Sequence, residues 1–144
     1  MPWTLFTEPE IAQVGLSERQ ARDRYGSSAR VLRWPIARID RAVTEGESDG
    51  FLKLMHLPSG RLLGGTIVCK RAGELADELS LALNKRLTLA SLAGAIHVYP
   101  TYGFALQQAA AAGYLDQLGR GRLGTIARLL ARGWPAQRRA ARNS

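Results

Sequence analysis

The sequence has very little cysteine and histidine: one cysteine, Cys69, and two histidines among 144 residues. One cysteine cannot form a disulfide within the chain, and these three side chains do not supply the four ligands of a structural zinc site. We also find no bilayer-length apolar run and no basic start followed by an apolar stretch, as a secretory signal has. A disulfide scaffold and a metal module are therefore excluded, and a reducing, cytoplasmic setting is the expectation.

Acidic residues are missing from the last part of the chain. After Asp116 there is no acid, whereas seven of the 20 basic residues lie there, and all seven are arginines. Residues 1–116 consequently hold 13 basic and 12 acidic side chains, so the net charge of +8 belongs almost entirely to the remainder. This asymmetry predicts a nearly neutral folded domain at 1–116 and a basic tail at 117–144.

The tail has the pattern of a basic amphipathic helix. Its apolar residues share one helical face with arginines opposite: Leu123, Ile126, Ala127, Leu130 and Trp134 against Arg128 and Arg132. Such a helix can pack on the same protein or its dimer mate, and we favour this interpretation because amphipathicity usually reports packing. Binding to nucleic acid or to an acidic membrane surface stays open as the alternative.

The body of the chain changes from strand patterns to helix patterns. The clearest feature is a hairpin, in which strands at 51–57 and 62–69 flank the turn sequence Pro58-Ser59-Gly60-Arg61. Further strands are predicted at 11–16 and 29–36, a helix at 18–24 capped by Ser17, and a polar, turn-rich segment at 40–50. Helices are predicted at 74–86, at 88–97 and at 102–115. The order predicts an α+β fold, with helices packed on one face of an antiparallel sheet.

Two motifs look chemical but lack the context that their chemistry needs. Gly119 to Gly124 spell G-x-G-x-x-G, yet a helix precedes them and no acid follows that could bind a ribose, so we interpret them as a flexible link. Cys69 has no second cysteine to close a disulfide, which favours a small buried residue over a nucleophile.

Taken one at a time, each of the two histidines is predicted to have a structural role and not a catalytic one. His56 comes at the end of a strand beside a turn, where we expect it to be partly exposed and inert. His97 comes at the predicted end of a helix, where an imidazole can satisfy carbonyl groups or touch a ligand.

Several stretches in sequence order resemble one known domain. The stretches are PWTLFTEPEIAQVGLSE at 2–18, GFLKL at 50–54, GRLLGG at 60–65, AGE at 72–74, LTL at 87–89 and IHVYPT at 96–101. Together they resemble the carboxy-terminal dimerisation domain of the pyridine nucleotide-disulfide oxidoreductases, a family that includes glutathione reductase, dihydrolipoamide dehydrogenase and mercuric reductase. The likeness covers residues 2 to about 113, with natural spacing.

The resemblance implies a functional site around residues 97–101, and this sequence departs from the family's motif there. In the family, a His-Pro-Thr motif brings a catalytic histidine to the partner's redox disulfide, and a glutamate five residues on orients it. Here Tyr99 stands at the histidine position and Phe104 at the glutamate position, so no catalytic residue is expected in this chain. A phenol titrates near pH 10 and is a poor base for a thiol. His97, two residues earlier, stays open as a substitute.

The resemblance therefore predicts a homodimerisation domain that is inactive alone and is cut from a longer enzyme. That parent is expected to depend on FAD and NAD(P)H and to be mercuric-reductase-like, since an aromatic residue can replace the histidine in that branch. His97, Tyr99, Pro100 and Thr101 are the candidates for contact with the partner's flavin. The chain by itself is expected to bind no cofactor and no metal.

Overall fold

The computed structural model describes residues 1–120, so the predicted tail helix and most of the glycine-rich motif lie outside the described residues. The elements follow in this order: β1 (Trp3–Leu5), β2 (Glu10–Gly15), α1 (Glu18–Tyr25), β3 (Arg30–Pro35), α2 (Asp40–Glu45), β4 (Phe51–His56), β5 (Leu62–Cys69), α3 (Ala72–Asn84), α4 (Leu89–Ala93) and α5 (Phe104–Arg120). Short 3₁₀ turns at Gly26–Ser28 and Ile36–Arg38 follow α1 and β3. The α+β class predicted from the sequence is confirmed.

The strands form one five-stranded sheet in the order β1-β2-β5-β4-β3, and every pairing is antiparallel. The predicted hairpin is its centre, with Phe51 of β4 opposite Val68 of β5. The strand β1 was not predicted; it pairs with β2 at one edge of the sheet, with Trp3 opposite Gln13.

One face of the sheet carries the main core because alternate residues of each strand point to it. Leu52, Leu54 and Ile67 from the central strands meet Leu75 and Leu79 of α3, and all five are buried. The same core takes in buried residues of α4 and α5: Leu89, Leu92, Ala105, Leu106, Ala109 and Ala110. These helices pack on this face, as the sequence predicted, and the apolar spacing of α3 explains why it buries that side.

Two adjacent glycines let neighbouring backbone and helix approach β5 closely. A Cβ on Gly64 would lie 2.2 Å from the carbonyl oxygen of Leu16, and one on Gly65 would lie 2.4 Å from Cδ2 of Leu79. A side chain at Gly64 would collide with backbone, and one at Gly65 would require Leu79 to move, so α3 packs closely on the main chain of β5.

The helix α1 packs on the opposite face of the sheet, over a smaller cluster. Ala21 of the helix is buried with Met55 and Leu63. The helix starts where it was predicted: Ser17 and Gln20 form a capping box, in which each side chain bonds the other's backbone N–H.

Three expectations about local structure were wrong. The segment 40–50 contains α2, held by an ion pair between Arg41 and Glu45 and by burial of Ala42. The helix expected over 88–97 is only Leu89–Ala93, and the chain then runs without helix to Gly103. His56 is buried instead of partly exposed: it lies at the end of β4, paired with Arg30 of β3 and Leu62 of β5.

Candidate functional site: the loop between α4 and α5

The predicted site residues all lie on the loop 94–103, which we call the α4–α5 loop. His97, Tyr99, Pro100 and Thr101 follow one another there, so their proximity is given by the chain. Thr101 shapes the end of the loop: its hydroxyl donates to the Val98 carbonyl at 2.6 Å and accepts from the N–H of Phe104 at 3.3 Å. The second bond satisfies one free N–H at the start of α5 and fixes where that helix begins.

His97 is anchored at both ring nitrogens. Its Nε2 lies 2.7 Å from Oε1 of Glu78 on α3, and its Nδ1 lies 3.1 Å from the carbonyl oxygen of Ala95. Burial opposes the charged imidazole, but the hydrogen bonds to Glu78 and Ala95 outweigh it and raise the pKa of His97 above its usual value. The side chain is only 12% exposed. The ring is tied to a helix and has no nitrogen left for a substrate thiol.

Tyr99 is held by a different helix. Its hydroxyl donates to Oδ2 of Asp40 on α2 at 2.6 Å, and this bond to a carboxylate raises the pKa of the phenol. Its ring meets that of Phe104 edge to face, with the centroids 5.6 Å apart. The phenol is thus kept protonated, which agrees with the expectation that it is a poor base for a thiol.

The carboxylates that hold the loop were not found from the sequence. Asp40 and Tyr99 are 59 positions apart, and Glu78 and His97 are 19 apart. The family pattern directs attention to residue 104, five positions after Tyr99, where this chain has a phenylalanine. Nothing in local spacing pointed to α2 or α3, because these partners meet only through the packing of the helices.

A cleft of about 340 Å³ opens beside the loop. Its charged lining comes from Arg41, Arg71, Glu74 and Glu78, and its wall includes Tyr102. Burial and the nearby Glu45 carboxylate raise the pKa of Tyr102 to about 12. The arginines are already paired: Arg41 with Glu45, and Arg71 with Glu74 at 3.1 Å. The charged side chains that line the cleft are therefore paired, the arginines with Glu45 and Glu74, and Glu78 with His97.

The outer surface of the loop is apolar. Ile96 is 98% exposed and Val98 is 77% exposed, and Leu81 on α3 is 59% exposed. Isolated exposed apolar side chains are ordinary on a monomer, whereas apolar side chains exposed near one another, as Ile96 and Val98 are on this loop, are typical of a contact surface. Chemically, this arrangement can bury apolar area against a partner.

Cys69 and possible metal ligands are the remaining chemical candidates in the described part of the chain. Cys69 is fully buried, and its burial raises the pKa of the thiol to about 11. Between residues 1 and 120, no three histidine, cysteine or carboxylate side chains come together as metal ligands would. Over the same residues, no helix has the length and apolar character needed to cross a membrane.

Comparison with known families gives a match over most of the chain. Residues 1–110 match the family described as "Pyridine nucleotide-disulphide oxidoreductase, dimerisation domain". Dihydrolipoyl dehydrogenase of Bacillus subtilis is 36% identical over 111 residues, which are 76% of this chain and 23% of that protein. Mercuric reductase of Shewanella putrefaciens is 38% identical over 103 residues, covering 70% of this chain and 18% of that protein.

Solved structures share the fold. The HOCl-induced flavoprotein disulfide reductase RclA of Escherichia coli superposes with a TM-score of 0.73 and 26% sequence identity, over 77% of this chain and 26% of that one. The chain spans only 18–26% of the length of these three proteins.

Proposed function

Because the chain belongs to the pyridine nucleotide-disulphide oxidoreductase family, of which it carries the dimerisation domain, we propose that it pairs with a second copy of itself through α3 and the α4–α5 loop. The supporting observation is the exposed apolar surface of Leu81, Ile96 and Val98. By itself the chain is a contact module without catalytic activity.

An isologous dimer suits this surface. In a two-fold arrangement both copies use the same patch. Each exposed aliphatic residue therefore contributes buried area once from each copy. Obligate interfaces commonly bury more than ~2,000 Å² and are more apolar than the rest of the surface.

The enzyme to which such a module contributes is proposed to be an oxidoreductase that depends on FAD and NAD(P)H. Tyr99 at the family's histidine position supports a mercuric-reductase-like member. The similarity to dihydrolipoyl dehydrogenase is of the same size, so substrate and nicotinamide preference stay predictions. The cytoplasmic location also stays a prediction.

The α4–α5 loop is the proposed contact with the flavin of the opposite subunit. Its side-chain polar groups are already used: His97 by Glu78 and Ala95, Tyr99 by Asp40, and Thr101 by Val98 and Phe104. A flat ring system would meet main chain, Pro100 and the ring of Tyr99, a surface that fits by shape. The flavin would supply electron transfer, and this chain would position it and exclude water. Replacing Tyr99 with Phe in the full-length enzyme should accordingly leave flavin binding intact.

Two matched leucines test the dimer. Leu81→Glu places a charge on the outer face of α3. The control, Leu5→Glu, places a charge on β1, on the sheet face away from α3. The two leucines are similarly exposed, 59% and 52%. We expect the wild-type chain and Leu5→Glu to sediment as dimers and Leu81→Glu to sediment as a folded monomer, because a buried charge without a partner is costly. A well-folded wild-type monomer at high concentration would contradict the proposal.

A further inference from the structure

The two ring nitrogens of His97 both face oxygen atoms that can only accept hydrogen bonds. Nε2 faces the carboxylate of Glu78 at 2.7 Å, and Nδ1 faces the carbonyl of Ala95 at 3.1 Å. A neutral imidazole has one N–H, so one nitrogen lone pair would point at an oxygen. The imidazolium has two N–H groups and satisfies both acceptors. The geometry therefore selects the charged ring.

Within residues 1–120, Glu78 is the one charged group that acts on His97. Glu78 is contributed by α3, α5 contributes the uncharged amide of Gln107, and the loop contributes the Ala95 carbonyl. The other charged residues that line the adjoining cleft are paired elsewhere, Arg71 with Glu74 and Arg41 with Glu45. His97 and Glu78 thus form a charge pair at the edge of the cleft.

The neighbours of the anchored His97 are exposed. The imidazole is held against Glu78 of α3, whereas the side chains of Ile96 and Val98 are 98% and 77% exposed. Because both residues adjoin His97 in the chain, a change in the position of His97 would change how the loop presents these two apolar side chains.

We propose that His97 and Glu78 form a proton-dependent latch that shapes the α4–α5 loop for association with a second copy of this chain. Glu78 acts as the positioning residue and His97 as the titrating one. This inference rests on the proposed dimer for its effect on association, but the latch itself exists or fails within one subunit.

The direction of the pH dependence follows from the raised pKa of His97. A raised pKa in the folded chain means that the pair stabilises the loop at low pH and that this stabilisation is lost as pH rises through the folded value. The dimer fixes the loop and so should bind this proton more tightly than the monomer does. Association then weakens as pH increases, by at most about 100-fold per pH unit, because each of the two subunits releases one proton.

The latch is tested by following His97 by NMR in the 144-residue chain between pH 5 and 8.5. We expect its midpoint to lie above the ordinary value of 6.5 and to fall in Glu78→Gln. Glu74→Gln is the matched control, since Glu74 lies one turn away on α3, lines the same cleft and pairs with Arg71. A wild-type midpoint at or below 6.5, or one that Glu78→Gln does not lower, would overturn the latch. If Glu78→Gln does not fold, the midpoint of His97 in the wild-type chain still tests the latch.

The effect on association is measured by sedimentation equilibrium at pH 6 and pH 8.5. The dissociation constant of the wild-type dimer should rise by about tenfold or more over this range, and that of Glu78→Gln should change much less. A wild-type dimer with the same affinity at both values would refute the link to association. If the chain is monomeric throughout, the proposed dimer fails, and the latch is judged from the amide resonances of Ile96 and Val98. The chemical shifts of these two amides should change with the same midpoint pH as His97. Amide shifts that do not change at that pH would overturn the inference.

Discussion

The contact between Leu79 of α3 and Gly65 of β5 predicts that one destabilising substitution will partly correct another. Leu79 is fully buried, and a Cβ added to Gly65 would lie 2.4 Å from its Cδ2, while the next atoms, the Lys53 carbonyl oxygen and Leu54 Cδ2, are 3.1 and 3.2 Å away. The leucine methyl therefore occupies the space that a residue 65 side chain would need. Removing the methyl opens that space.

The expected magnitudes follow from these contacts. Leu79→Ala removes three buried carbons, worth about 2.5 kcal/mol in transfer free energy, and a cavity adds to this, so we expect a loss of about 3 kcal/mol. Gly65→Ala forces overpacking against Leu79 and should cost about 1–3 kcal/mol. In the double variant the new methyl enters the space that Leu79 vacates, and the combined loss should be smaller than the sum by at least about 1 kcal/mol.

A double-mutant cycle measures this coupling by urea unfolding, followed by tryptophan fluorescence at one fixed protein concentration because association shifts the transition. Leu92→Ala is the control partner, since Leu92 is buried on α4 and is not among the nearest contacts of a Cβ at Gly65. Its effect should add to that of Gly65→Ala within about 0.5 kcal/mol. Additivity in the Leu79 cycle would refute the close contact between α3 and β5.

Two further outcomes are expected. Gly64→Ala should lower the melting temperature more than Gly65→Ala does, as measured by thermal unfolding in circular dichroism. The reason is that its Cβ would meet backbone atoms of Leu16 at 2.2 and 2.5 Å, and backbone atoms cannot rotate away. An equal or smaller loss would contradict this. Cys69 should react with a thiol reagent at pH 8 only after denaturant is added, since the thiol is fully buried with a pKa of about 11, and rapid labelling of the native chain would show that the burial is wrong.

The parts of the fold that the sequence predicted are those specified by neighbouring residues. The hairpin of β4 and β5 follows from two apolar runs around a proline- and glycine-containing turn. The start of α1 follows from Ser17 and Gln20, three positions apart, and the buried side of α3 follows from its apolar spacing. The strand β1 and helix α2 were missed because they are only three and six residues long, and neither pattern is distinctive at that length.

The family and the location of the candidate site were also accessible from the sequence, because motifs such as IHVYPT are contiguous. The state of the site residues was not. His97 was expected at the end of a helix, but it lies on a loop and is tied to Glu78. Tyr99 is oriented by Asp40 of α2, and not by residue 104, five positions on, where the family has a glutamate. These partners are brought together by the way α2 and α3 pack around the loop.

The sequence alone determined what local spacing and charge counting can determine: a nearly neutral α+β domain, a central hairpin, a basic tail and the loss of the family's histidine and glutamate at Tyr99 and Phe104. Tertiary structure decided which side chains reach the loop, that His56 is buried within the sheet, and that Leu79 lies against a glycine. The physical reason is that these contacts join residues far apart in the chain. Their energies depend on burial and on distances of a few ångströms, which a linear pattern does not contain.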